Sequence, residues 1–133
     1  MSLVVPAVGQ GVILAAIVNK TAPQDLVLRL FKSNTTPAEG DEAADYTEAN
    51  FTGYSSITLT GASWVVTEGN PSSVTYAQQT FTSSAGSQNQ PVYGYYLVQS
   101  VSGILVWAER FSAAPYTITN NGDLIRVTPR LEI

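Results

Sequence analysis

The sequence predicts an all-β fold: an antiparallel β-sandwich, jelly-roll-like, with one short N-terminal helix. Three observations predict it. Segments with apolar side chains at every second position run from Leu26 to Thr128, the spacing that puts alternate residues on one face of a strand. Clusters of Gly, Pro, Asn and Ser separate these segments at short intervals, as in small sandwiches and barrels. Only 12% of the residues are charged, about half the usual share, and Thr, Ser, Asn and Gln stand in their place.

Residues 1–8 read as an N-terminal arm, and residues 9–133 as a single β-sandwich domain. Leu3, Val4, Val5 and Pro6 make the arm apolar, and Pro6 biases Val5 toward extended backbone. Over residues 9–19, Val12, Ala15, Ala16 and Asn19 have helical spacing, although Val12, Ile13, Ile17 and Val18 favour a strand. A short helix is preferred, because Lys20 suits a helix C-terminus and Pro23 follows soon after. Leu26, Leu28 and Leu30 then alternate with Val27, Arg29 and Phe31 in a strand. Residues 37–50 form a polar loop holding Glu39, Asp41, Glu42, Asp45 and Glu48. Strands are expected at residues 57–60 and 64–67, parted by Gly61-Ala62, and a single Thr- and Gln-rich strand at residues 74–81. The turn at residues 120–123 precedes a last strand at 124–128.

The strongest local signal is a β-hairpin over residues 92–111. Two apolar runs flank Val101-Ser102-Gly103, which is short-turn chemistry. With Ser102-Gly103 as a two-residue turn, Val98 faces Trp107 and Tyr96 faces Glu109. Tyr96, Val98, Leu105, Trp107 and Phe111 then share one face, and Tyr95, Leu97, Val101, Ile104 and Val106 the other. A sandwich core covers only one of these faces. The other is expected to pack on symmetry mates, since so large an apolar patch is unusual on a monomer.

Composition narrows the chemistry. The chain has no His and no Cys, so no Ser-His-Asp or Cys-His arrangement exists within it, and the commonest general base is missing. No phosphate-binding loop follows a strand. An enzyme is not expected, and no cofactor is implied. The net charge is -4, and Lys20, Arg29, Lys32, Arg110, Arg126 and Arg130 are scattered; neither nucleic acid nor a membrane is an expected partner. The apolar run at residues 12–18 is too short to span a bilayer and lacks a basic flank. Two oxygen-rich places stay open as Ca²⁺ ligands, Asp41, Glu42, Asp45 and Glu48 in the acidic loop and residues 120–123. A solvated loop and a hairpin turn are the preferred readings of the two. Tyr93, Tyr95, Tyr96 and Trp107 suit either a sugar-binding platform or core plus oligomer interface, and the second is preferred.

Several segments together resemble small β-rich virion proteins of tailed bacteriophages. They are Leu-Val-Leu-Arg-Leu-Phe-Lys-Ser-Asn-Thr-Thr-Pro (26–37), Tyr-Thr-Glu-Ala-Asn-Phe-Thr-Gly-Tyr (46–54), Val-Tyr-Gly-Tyr-Tyr-Leu-Val (92–98), Leu-Val-Trp-Ala-Glu-Arg-Phe (105–111) and Asn-Gly-Asp-Leu-Ile-Arg-Val-Thr-Pro (121–129). The resemblance is greatest to capsid decoration, or cement, proteins. It implies a structural protein on the outer surface of the virion capsid, a homotrimer that binds across subunits of the major capsid protein. A tail-fibre or baseplate module and a carbohydrate-binding β-sandwich are the alternatives. The expected interface residues are Leu3, Val4, Val5 and Pro6 of the arm, with Tyr95, Leu97, Ile104 and Val106 of the hairpin.

Overall fold

The computed structural model describes residues 3–133. A two-residue strand, β1 (Leu3–Val4), leads directly into helix α1 (Ala7–Ile17). Eleven strands follow: β2 (Leu26–Phe31), β3 (Ile57–Leu59), β4 (Val65–Thr67), β5 (Ser73–Thr75), β6 (Gln79–Thr82), β7 (Gln90–Val92), β8 (Gly94–Gln99), β9 (Leu105–Arg110), β10 (Tyr116–Ile118), β11 (Leu124–Val127) and β12 (Arg130–Glu132). Short 3₁₀ turns occupy Ala43–Asp45 and Gly61–Ser63. The all-β class therefore holds, as several antiparallel sheets with one short helix.

The central sheet has five strands in the order β1-β9-β8-β2-β3, all antiparallel. Its register puts Leu28 opposite Leu97 and Leu30 opposite Tyr95. The remaining strands form the pairs β7–β10 and β6–β11 and the three-stranded sheet β12-β5-β4. The segment expected as one strand over residues 74–81 is split, because it pairs first with β12 and then with β11. Likewise, the last strand does not end at residue 128. Pro129 has no N–H to give a ladder, yet its carbonyl accepts from Tyr76 N at 3.0 Å and pairing resumes in β12.

The hairpin differs from its expected register. A bulge between β8 and β9 sets Leu97 against Trp107 and Val98 against Leu105, so Val106 is the extra residue. A bulge turns two successive side chains toward one side, and Val106 and Trp107 both enter the main core with Leu97. The expected pairing of Val98 with Trp107 is thus corrected, as is that of Tyr96 with Glu109; Tyr96 lies opposite Ala108. The connection is also longer than two residues. Gln99 N donates to Ile104 O, and Gly103 N to Gln99 O with Gly103 at φ +74°, a conformation that favours glycine.

Both faces of the hairpin are covered by the chain itself. On one side Tyr95, Leu97, Val106 and Trp107 pack with Leu28 and Leu30 and with Phe81, Ile125 and Val127 of the β6–β11 pair. On the other, Tyr96, Val98, Leu105 and Ala108 pack with Phe31 and Tyr46. Tyr46 comes from the acidic loop and stacks on Tyr96 with ring centroids 5.2 Å apart. The outer-face patch that called for symmetry mates is therefore reduced to Val101 and Ile104 at the hairpin tip: Leu97 is 0% exposed, and Tyr95 and Val106 are 3% exposed.

Candidate interaction surface

Helix α1 has the sequence Ala-Val-Gly-Gln-Gly-Val-Ile-Leu-Ala-Ala-Ile, without a single charge. It starts two residues earlier than expected, directly after the buried Pro6. It stops where Asn19 takes φ +59°, a left-handed conformation asparagine tolerates at helix ends. There Lys20 N donates back to Ala15 O at 2.9 Å. Gly9 fixes its position. A Cβ on Gly9 would stand 2.1 Å from Val106 O, so the helix can lie this close to β9 only because that atom is missing.

With 3.6 residues per turn, Val8, Gly9, Val12, Ala15 and Ala16 share the inward side, and all are buried or half-buried. Ile13, Leu14 and Ile17 lie on the outward side, followed by Val18. Their exposures are 39%, 64%, 79% and 70%. Ordinary surface helices present charged or polar groups there. An apolar groove of about 320 Å³ runs along one side of α1, lined by Val12, Ala15, Pro23, Gln99 and Ile104 among others. A second groove of about 450 Å³ includes Ile13, Ile17, Trp64 and Trp107. Gln99 borders both grooves and is itself 5% exposed. Its Oε1 accepts from Ser102 Oγ at 2.7 Å. The hairpin tip is held beside the helix by Gln24, whose Oε1 accepts from Val101 N and Ser102 N at 2.9 and 3.0 Å. Val101 and Ile104 are both exposed at this tip.

A second apolar group, with Tyr116 and Leu124 exposed and Phe111 half-buried, lies at the other end of β8 and β9, about 20 Å away for six residues of strand. Phe111, Tyr116 and Leu124 border a shallow groove with Arg126. The rings of Phe111 and Tyr116 are 5.3 Å apart, and the neighbouring Arg110 guanidinium lies 5.0 Å over the Tyr93 ring.

Of the expected interface residues, only Ile104 is prominently exposed. Tyr95, Leu97 and Val106 are core. Leu3 and Val4 pair with Glu109 and Ala108 of β9, Val5 is half-buried and Pro6 is buried. The expected arm, over its described residues 3–8, is thus laid on its own domain, because β9 offers an open row of backbone donors and acceptors there. Residues 1 and 2 lie outside the described part. Nor do the aromatic residues form a sugar platform: Tyr95 and Trp107 belong to one core cluster and Tyr96 to the other.

The carboxylates of the acidic loop are held by hydrogen bonds within the chain. Asp41 accepts from Tyr46 Oη at 2.7 Å and from Ala38 N at 2.9 Å. Asp45 accepts from Glu42 N at 2.8 Å. Glu48 accepts from Tyr54 Oη at 2.7 Å and lies 3.8 Å from Arg29 Nε. Glu109 takes the Tyr95 hydroxyl at 2.8 Å in the same way. Burial first, and the paired carboxylate second, hold the Tyr46, Tyr54 and Tyr95 phenols well above the ordinary range; burial and the charge of Glu48 raise Tyr96. In the turn at residues 119–123, Asp123 accepts from Asn120 N and Thr119 N, and these bonds lower its pKa. Among the described residues, no three carboxylates come together as a metal-holding group, and no helix is long and apolar enough to cross a membrane.

Sequence reasoning missed the outward face of α1. The signal was present: residues 7–19 carry no charge, and Ile13, Leu14, Ile17 and Val18 lie outside the stripe of Val12, Ala15 and Ala16. Compared with known proteins, the chain matches no family model, no curated protein and no solved structure.

Proposed function

We propose that this protein is a structural component of a tailed-phage virion, a decoration protein on the outer surface of the capsid. It acts as a homotrimer that binds across neighbouring subunits of the major capsid protein. Its sheets are read as a jelly-roll-like sandwich, with the central sheet packed against the β6–β11 pair. The observation that carries the proposal is the pair of exposed apolar groups at opposite ends of β8 and β9, on a chain without His or Cys. A cement protein needs two kinds of contact, one with its own copies and one with the shell. The group around Phe111 and Tyr116 is rich in Tyr, Phe and Arg, the residues enriched where proteins meet, and it is assigned to the shell. Binding only the assembled state stabilises that state by mass action. Repetition of the contact by three protomers multiplies its strength.

The test is to add the purified chain to undecorated particles and count bound copies by mass. Binding in numbers proportional to the shell subunits is expected, with a rise in the temperature at which particles break. A handful of copies per particle would point to the tail or baseplate instead, and no binding would refute a virion role. Tyr116→Ala with Leu124→Ser should weaken attachment while the isolated domain keeps its melting temperature.

A further inference from the structure

We infer that the uncharged outward face of α1, together with the hairpin tip beside it, is a self-association surface occupied by a second copy of this chain. The inference rests on the proposed reading of this surface as a binding face, and it names the occupant.

Area is the first argument. Ile13, Leu14, Ile17, Val18, Val101 and Ile104 together leave on the order of 500 Å² of side chain in water, at the upper end of the largest patch of a typical monomer and more than half of the ~800 Å² each partner contributes to a stable interface. Shape is the second. Ile17 stands on the rim of the groove that reaches Trp64 and Trp107, and Leu14 projects from the helix at 64% exposure, so the surface carries both a knob and a place for one. A rotation that sets the knob of one copy into the groove of the next gives a closed assembly.

Charge is the third argument and selects the occupant. The chain carries a net charge of -4, so copies repel one another over long range. A contact between copies is cheapest where charge is absent. Residues 7–19 and 99–108, which supply the exposed apolar side chains of the surface, contain no Asp, Glu, Lys or Arg; the carboxylates at its margin, Asp25 and Glu39, accept hydrogen bonds from Gly61 N and Gln10 Nε2 within the chain. A lipid surface fits less well, because interfacial helices use a basic polar face and aromatic anchors. Here Lys20 is the first basic residue beyond α1, and the outward side has no aromatic.

The experiment is sedimentation velocity of the full chain from dilute to concentrated solution, beside Leu14→Glu/Ile17→Glu. The wild type should associate with rising concentration, and the double variant should stay monomeric, its association weakened on the order of 100-fold or more, about 2.8 kcal/mol. Its circular dichroism and melting temperature should match the wild type. If the double variant loses its fold, Ile17→Ser, at the most exposed helix position, provides the same comparison. A wild type that stays monomeric, or a folded variant that associates like the wild type, overturns the inference. So does a wild-type chain that floats with phosphatidylcholine vesicles instead of self-associating. Particle binding is scored separately: a monomer that still decorates particles refutes only the self-contact, and a self-associating chain that ignores particles refutes only the virion reading.

Discussion

The hairpin of β8 and β9 and helix α1 are comparably apolar in sequence, yet the fold treats them in opposite ways. Every residue of β8 is buried, while four apolar side chains at and after the end of α1 stand in water. The difference is one of cover. A hairpin has two faces, and this chain has something to lay on each: the β6–β11 pair on one, Phe31 and Tyr46 on the other. The helix lies across β9 at the margin, with Gly9 against Val106, and among the described residues none covers Leu14 and Ile17 on its far side. Apolar content alone does not distinguish core from exposed surface; what distinguishes them is whether the same chain supplies a lid.

Substitutions can break this comparison, and the largest effect belongs to the hairpin. Leu97→Lys places an unpaired ammonium at a 0% exposed site and should cost more than about 4 kcal/mol, leaving no cooperative thermal transition. The inner side of the helix comes next. Gly9→Ala should lower stability by about 1–3 kcal/mol, because the clash with the Val106 carbonyl outweighs the ~1 kcal/mol that alanine gains in a helix. Gly11→Ala, with nothing within 4 Å of its added Cβ, should instead raise stability by up to about 1 kcal/mol. Urea titrations of the two variants give the opposite signs directly.

Alkaline pH probes the cover on both faces of the hairpin, with Tyr54 and Tyr95 in one cluster and Tyr46 and Tyr96 in the other. Tyr46, Tyr54, Tyr95 and Tyr96 all have raised pKa values in the fold. The unfolded chain therefore releases these protons first, from about pH 10. Stability is intact below that pH and falls as pH rises above it. Tyr46→Phe should flatten the fall, measured as urea midpoints from neutral pH upward. The smallest effect on stability belongs to the outer helix face, where Leu14→Glu/Ile17→Glu should stay within about 0.5 kcal/mol of wild type in dilute solution.

Much of this fold was legible in the sequence, and the losses have physical causes. Period-two spacing located β2, β3, β8, β9 and β11, because alternation is a local property of the chain. Register was not local. The bulge at Val106 carries no residue signature of its own, and it moved Trp107 from the face of Tyr96 to that of Leu97. Nor did local pattern show that Tyr46, in an acidic loop, would stack on Tyr96 fifty residues further along. The carboxylates of that loop suggested a solvated surface or an ion site. Glu39, Glu42 and Asp45 are exposed, while Asp41 and Glu48 also accept hydrogen bonds from Tyr46, Tyr54 and a backbone amide. On the exposed apolar surface beside α1, the exposure of Ile104 was expected from hairpin alternation, whereas that of Ile13, Leu14 and Ile17 was not, because inward and outward residues of α1 are alike in hydropathy.

Hydroxyl-radical footprinting of the isolated chain, read residue by residue at low and high concentration, tests most directly whether cover separates these two regions. Leu14 and Ile17 should be modified readily in dilute solution and become protected as concentration rises, while Leu97 and Val106 stay unmodified throughout. Reactive Leu97 and Val106 in dilute solution, protected only on association, would make the hairpin the interface and contradict the account.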